Sequence, residues 1–316
     1  MAKVIASSVV RASQKGDEHG HIFIADLYSE KLECVFSLAD QDIDWAGRGG
    51  ERGIRGIQVY DDSIFAATMN KLVAFDREFR IRATYSCPWL GGLHEIAVDA
   101  NKGILYLTST SYNAIVSFNI NRGEFLDAFH FSTNLDSVSV HNAKTKPGWI
   151  TKLKIKKKWT YSHINNVQVD TTGRVRVSAY HSDKFVCISD PKANVVKIPK
   201  GTHNPQLIHE NEQPMVIYNH TLTDRLVLGK TTGAVIRDAK ALVLPEGSFV
   251  DVPKNEKIAR HPWCRGLAVN DEFIVAGSTP AMINVYERNT LRLVKSIRMS
   301  VDVRHAIHGL TFWPYS

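Results

Sequence analysis

The chain has few cysteines and no long apolar segment. Its four cysteines lie far apart and form no Cys-x-x-Cys pair, so we expect reduced thiols in a cytoplasmic protein. No apolar run approaches the roughly 18–20 residues that a membrane span needs, and the first ten residues lack the pattern of a signal peptide. We therefore expect no membrane partner.

The chain also lacks a strong excess of charge of either sign. The 39 basic and 32 acidic residues give a net charge of +7, which does not by itself indicate a nucleic-acid partner. The sequence has no Gly-x-Ser-x-Gly elbow, no phosphate loop ending in Gly-Lys-Ser/Thr and no paired cysteine and histidine nucleophile. The lysine-rich segment 152–158 is interpreted as a solvated sheet edge.

What the chain does contain is a repeat. Six segments begin with a polar residue, continue with a small or polar residue and end in an alternating apolar strand: 55–59, 94–98, 165–169, 203–207, 265–269 and 308–312. Most are followed by a turn and by two or three further β-rich runs. The spacing is about 39 residues from Arg55 to His94 and about 43 from Arg265 to His308, which is typical of a propeller blade.

The repeat predicts an all-β, six-bladed β-propeller with four-stranded blades, forming one domain over residues 1–316. Insertions are expected near 132–161 and 238–263. The segment 308–313 supplies a first strand, and 3–10, 21–27 and 31–38 supply three more, so both ends of the chain would complete one blade and leave no free edge. Seven blades, or a two-sheet sandwich, are the alternatives.

In a propeller the first strand of each blade lines the central channel. The leading residues of the six repeats would therefore meet near one mouth: Arg55, His94, Asn165, His203, Arg265 and His308. His163 lies two residues before Asn165, on the same face by strand alternation. We predict that His94, His163, His203 and His308 bind a divalent metal, because imidazole is the commonest metal ligand.

Other residues receive supporting roles. Arg55 and Arg265 would clamp an anionic substrate group, since a guanidinium suits carboxylate or phosphate. Asn165, Trp89 and Trp263 would contact the substrate, and Glu95 would point away from the channel and support the metal ligand His94. Each has a structural alternative: channel histidines without metal, arginines paired with acidic neighbours, and tryptophans that only pack.

Several of these segments resemble a known family. The pieces Leu93-His94-Glu95-Ile96, His163-Ile164-Asn165-Asn166, His203-Asn204-Pro205 and Arg265-Gly266-Leu267 are similar, in order, to motifs of a bacterial protein family of unknown function. The stretch 165–174 is more distantly similar to gluconolactonases and strictosidine synthases, which are six-bladed propellers. Gluconolactonases hold a divalent metal with acidic and asparagine ligands, and of those only Asn165 has a counterpart here.

Three functions follow as hypotheses. The first is a metal-dependent enzyme acting on a small anionic metabolite, by oxidoreductase or by hydrolase or lyase chemistry. Iron is the preferred metal because the ring is similar to four-histidine iron oxygenases on propellers; zinc, copper and manganese are the alternatives. The second is a metal-free enzyme in which His163 and His308 act with Arg55 and Arg265. The third is a non-catalytic binding or scaffold propeller.

Overall fold

The computed structural model describes residues 2–46, 50–147, 162–190, 192–250 and 258–315. The strands in chain order are β1 (Lys3–Val10), β2 (Gly20–Asp26), β3 (Leu32–Leu38), β4 (Ile57–Tyr60), β5 (Ser63–Ala67), β6 (Leu72–Phe75), β7 (Ile81–Tyr85), β8 (Ile96–Asp99), β9 (Ile104–Ser109), β10 (Ala114–Asn119), β11 (Glu124–Phe131), β12 (Val138–Asn142), β13 (Ile164–Val169), β14 (Val175–Ala179), β15 (Lys184–Cys187), β16 (Val196–Lys197), β17 (Thr202–Glu210), β18 (Gln213–His220), β19 (Arg225–Lys230), β20 (Val235–Lys240), β21 (Leu267–Val269), β22 (Phe273–Ser278), β23 (Met282–Glu287), β24 (Leu293–Arg298) and β25 (His305–Trp313). Two short 3₁₀ helices, Thr110–Tyr112 and Thr133–Leu135, interrupt them.

The described strands form six antiparallel sheets, which are the blades of a propeller. From the channel outward, blade 1 is β4 to β7, blade 2 is β8 to β12, blade 3 is β13 to β16, blade 4 is β17 to β20, and blade 5 is β21 to β24. Blade 6 has the order β25, β1, β2, β3, so the C-terminal strand is its inner strand. The predicted six-bladed fold and its closure by both ends of the chain are confirmed.

Apolar side chains from facing blades interlock between them. Phe65 and Leu72 of blade 1, for example, share one buried cluster with Leu107 and Phe118 of blade 2. Successive side chains of a strand point to opposite faces of its sheet. Each blade is covered on both faces by its neighbours, so apolar residues occupy both faces. Burying one such leucine or phenylalanine contributes about 1.5–3 kcal/mol.

Two glycines lie where the starts of neighbouring inner strands approach closely. A Cβ atom on Gly56 would lie 2.6 Å from the backbone nitrogen of Ile96, and one on Gly309 would lie 2.7 Å from that of Ile57. Both glycines directly follow a residue of the predicted channel ring, Arg55 and His308. The small residue after the polar one therefore lets the strand starts converge.

The two predicted insertions are described only in part. The first adds β12 as a fifth strand of blade 2, and within the described residues there is no seventh blade. Residues 148–161, which include the lysine-rich segment 152–158, and residues 251–257 lie outside the described residues. All four cysteines are free, as expected, with Cys187 and Cys264 buried. Across the described ranges, no helix has the length and apolarity to cross a membrane.

Candidate functional site

The leading residues of the repeat reach the channel mouth from the segments that enter the inner strands. Arg55, His94 and Arg265 each lie two residues before their strand, and His163 lies one residue before β13 with a left-handed φ of 58°. His203 and His308 lie within β17 and β25. Regular strand alternation does not apply before a strand begins, so the sequence alone did not fix where these side chains point.

The imidazoles lie close to one another. The ring of His94 lies 5.2 Å from that of His163 and 5.9 Å from that of His308, to which it is nearly parallel at 3°. Tyr180 lies between His163 and His203, with ring centroids 5.8 and 5.5 Å away. The four histidines thus form a row in the order His308, His94, His163 and His203. Tyr180, which the sequence analysis did not identify, connects the last two.

Guanidinium groups lie beside this row of histidines. Nη1 of Arg265 lies 3.4 Å from Nε2 of His308. Arg55 is 7% exposed, its Nε has no hydrogen-bond partner, and no acidic side chain of the described residues pairs with it. Burial alone lowers the pKa of Arg55 to about 10, so the group stays charged at neutral pH.

A third arginine was missed by the sequence analysis. Arg11 follows β1 directly, and its guanidinium lies 4.0 Å from the ring centroid of Trp263, while that of Arg265 lies 5.5 Å from the same ring. The indole ring of Trp263 thus contacts these two cations, and its contact with a substrate stays a prediction. Arg11 directly follows the second strand of blade 6, whereas the repeat identifies only residues at the start of first strands.

Burial and the arginines keep the histidines neutral. The pKa values of His94, His203 and His308 lie well below the usual 6.5, first because burial disfavours the charged ring. The charge of Arg265 lowers all three values further. At neutral pH each imidazole therefore has one N–H and one lone pair, which suits it to donate and to accept a hydrogen bond.

Glu95 does not have the expected position. It lines a polar cavity of about 210 Å³ in the channel, together with Gln58, Asn166 and Gln206. Its Oε1 accepts a 2.8 Å hydrogen bond from Nδ2 of Asn204, and burial raises the pKa of Glu95 to about 8. The prediction that Glu95 points away from the channel is wrong, because residue 95 precedes β8 and is not bound by its alternation.

Trp89 and Asn165 are both buried. Trp89 is 1% exposed in the core between blades 1 and 2, and its Nε1 donates to the carbonyl of Thr145, so the prediction that it contacts the substrate is wrong. Its sequence position near a strand start is compatible both with packing in a core and with lining the channel, so the sequence did not distinguish the two. Asn165 donates from Nδ2 to the carbonyl of Thr202 at 2.8 Å, while its Oδ1 is buried without a partner.

The histidines converge without forming a preassembled metal centre. Among the described residues, no group of three or more histidine, cysteine, aspartate or glutamate side chains is arranged to hold a metal ion. Among the four histidines of the site, two buried ring nitrogens have no hydrogen-bond partner within the described part of the protein, Nδ1 of His94 and Nε2 of His203. These two atoms are available to a ligand of either kind, a metal or a polar molecule.

Comparison with known proteins supports the fold. No protein-family model matches the chain, and no curated protein matches it in sequence. A structure of a nidogen/laminin complex has 8% identity and a TM-score of 0.59, over 99% of this chain and 98% of that chain. A protein of unknown function from Bacteroides caccae has 10% identity and a TM-score of 0.57, over 99% of both chains. A protein from Lactobacillus plantarum has 14% identity and a TM-score of 0.54, over 94% of this chain and 83% of that chain.

At these identities the likeness establishes the fold alone. It agrees with the resemblance to bacterial propellers of unknown function that the sequence motifs indicated.

Proposed function

We propose that the channel mouth binds a small anion and that the protein is an enzyme that acts on it through its neutral histidines. The observation that carries the proposal is the buried guanidinium of Arg55, which has no acidic partner among the described residues. A buried charge without a counter-charge is costly, by several kcal/mol in typical proteins. An anion bound beside Arg55 offsets that cost.

The charges around the mouth favour the same ligand. Arg265 and Arg11 lie on the Trp263 side of the site, and the charge of Arg55 reaches both His94 and His308. Carboxylate and phosphate groups match the planar fork of a guanidinium. A small carboxylate or phosphate that bridges Arg55 and Arg265 therefore fits this site.

The histidines supply the chemistry. A neutral imidazole beside the bound anion is able to accept a proton from it or to donate one to it. The negative charge of the ligand also opposes the arginine charges that lower the histidine pKa values, and so makes the imidazolium form accessible in the complex. Proton transfer at a small acid is thus the reaction class that this arrangement supports best.

Calorimetric titration tests the binding step. Inorganic phosphate, sulfate, acetate and succinate are titrated into wild type, into Arg55→Met and into the exposed control Arg292→Met. We expect at least one anion to bind wild type and the control, and its affinity to fall at least tenfold in Arg55→Met. Equal affinity in all three proteins, or no binding to wild type, overturns the proposal.

The catalytic part has its own test. Proton NMR follows each bound acid during incubation with wild type and with His203→Phe. Consumption or solvent-deuterium exchange in wild type that is lost in the variant supports an enzyme. Tight binding without any turnover would instead assign the channel to the third hypothesis, a non-catalytic binding protein.

A divalent metal is the second candidate, favoured by the two unpartnered nitrogens of His94 and His203. The surrounding arginine charges oppose a dication unless an anion is bound with it. No observation favours iron over zinc, copper or manganese, or oxidoreductase over hydrolase chemistry. Elemental analysis of protein purified aerobically and after anaerobic reconstitution tests this candidate. A stoichiometric metal that is lost in His94→Ala/His203→Ala supports it, and no metal under either condition removes it.

A further inference from the structure

His203 is held by a hydrogen bond on one edge of its ring. Its Nδ1 lies 2.8 Å from Oγ1 of Thr221. Oγ1 of Thr221 also lies 3.1 Å from the carbonyl of Cys264. All of these groups are buried, and they belong to blade 4 and to the segment that leads into blade 5.

The partners decide where the protons lie. A carbonyl oxygen only accepts, so the single hydroxyl proton of Thr221 is donated to Cys264. The hydroxyl oxygen then accepts from Nδ1–H of His203. The opposite arrangement, with the hydroxyl donating to Nδ1, would leave the buried carbonyl of Cys264 without this donor.

The opposite edge of the ring therefore has a lone pair. His203 is 4% exposed, and its Nε2 is buried without a hydrogen-bond partner. The ring of Tyr180 lies 5.5 Å from that of His203 and 5.8 Å from that of His163, which connects His203 to the other histidines of the proposed anion site. Nε2 is thus a desolvated acceptor next to arginines that only donate.

We infer that the site selects an anion that itself has a hydrogen-bond donor, an O–H or N–H beside the charged group, and that Thr221 is the positioning residue that makes this selection possible. The anionic oxygens bond to Arg55 and Arg265, and the donor bonds to Nε2 of His203. The 2-hydroxy carboxylates are the simplest such class. This inference rests on the proposed function and names its ligand class.

His308 differs from His203 in this respect. The Nη1 group of Arg265 is a donor, so Nε2 of His308 accepts from it and its proton lies on Nδ1. The lone pair of His308 is therefore already occupied, whereas that of His203 is open. The two histidines offer the ligand opposite hydrogen-bonding roles.

The tautomer is tested without any ligand. Two-dimensional ¹H–¹⁵N NMR of the histidine rings at neutral pH, with His203 assigned by comparison with His203→Phe, reports which nitrogen has the proton. We expect the proton on Nδ1 in wild type and in Thr221→Ser, and a detectable share of the Nε2–H form in Thr221→Val. A proton on Nε2 in wild type overturns the inference.

Ligand selection is tested with matched pairs of acids. Lactate is compared with propionate, and malate with succinate, by calorimetry. We expect wild type to prefer the hydroxylated acid by about tenfold or more, because an unmet buried acceptor penalises the other acid. The preference should vanish in His203→Phe, shrink in Thr221→Val and return in Thr221→Ser.

The two proposals fail differently. If no acid binds and Arg55→Met has no effect, the proposed function fails, and the ligand class falls with it. If acids bind through Arg55 but the hydroxylated member of each pair has no advantage in wild type, the anion site stands and this inference is wrong. Loss of plain-acid affinity in Thr221→Val equal to the loss of hydroxy-acid affinity also contradicts it, because it indicates a merely structural threonine.

Discussion

Asn204 in blade 4 donates a 2.8 Å hydrogen bond from Nδ2 to Oε1 of Glu95 in blade 2, across the inner strand of blade 3. The Oδ1 atom of the same amide accepts from the backbone N–H of Gly266, just before blade 5. Asn204 has a left-handed φ of 53° and lies where the pairing of β17 with β18 shifts register. One amide thus connects blade 4 with the segments that enter blades 2 and 5, and it holds a carboxyl group in the channel.

The position of Glu95 predicts a dependence of stability on pH. Its pKa is raised from 4.5 to about 8 in the folded protein, so folding favours the protonated form. The contribution of Glu95 to stability is then largest below pH 4.5 and is lost as the pH rises from 4.5 to 8. In Glu95→Gln this loss should disappear, which makes the variant more stable than wild type at pH 9 by roughly 5 kcal/mol.

Urea unfolding of both proteins from pH 4.5 to pH 9 measures this difference. Glu246→Gln, at an exposed position, is the control and should follow wild type. A constant difference between Glu95→Gln and wild type over the whole range would show that Glu95 does not titrate in this way.

Arg55 predicts an unusual response to a core substitution. Replacing its buried, unpaired guanidinium with the apolar side chain of similar length in Arg55→Met should leave the ligand-free protein as stable as wild type, or more stable by about 1–3 kcal/mol. Added anion should raise the melting temperature of wild type and leave that of the variant unchanged. Thermal unfolding of both proteins, with and without millimolar phosphate or the best-binding acid and in a buffer free of other small anions, measures both effects. If Arg55→Met is strongly destabilised in the absence of anion, Arg55 has a structural partner and the prediction is wrong.

Gly309 predicts a steric limit on the approach of blades 6 and 1. A Cβ atom there would collide with the backbone of Arg55 and lie 2.7 Å from the nitrogen of Ile57, so Gly309→Ala should lower the free energy of unfolding by about 2–4 kcal/mol. Gly247→Ala is the matched control. Gly247 has a φ of 83° but open space around it, and its substitution should cost about 1 kcal/mol. Denaturant unfolding compares the two, and equal losses would contradict the close approach.

His305 predicts sensitivity to acid. Burial lowers its pKa from 6.5 to about 3, and its Nε2 is 2.7 Å from Oγ of Ser8. A lowered histidine pKa means that the unfolded chain binds the proton first, so stability falls as the pH drops from 6.5 to 3, by up to about 1.4 kcal/mol per pH unit. His305→Gln should show a shallower decline than wild type or the exposed control His209→Gln. Unfolding midpoints at pH 7, 5 and 4 check this, and parallel curves would argue against it.

Some features of this protein follow from sequence alone. The repeat that begins at Arg55 and recurs at His94, Arg265 and His308 determined the blades, because four short alternating strands with turns between them bury both faces only against copies of themselves. The surplus strand at the C-terminus and the three at the N-terminus determined the closure for the same reason. The choice of histidine and arginine as mouth residues was likewise readable, since it needs only the start of each repeat.

The tertiary structure decided which of these side chains meet and what they do there. Residues just before a strand are free of its alternation, so only the folded chain could place Glu95 in the channel and Trp89 in a core. Arg11 and Thr221 lie outside the first strands, and they reach the site because neighbouring strands and blades carry them there. The protons on His203 depend on partners distant in sequence, and so the chemistry of the mouth was fixed by packing rather than by the repeat.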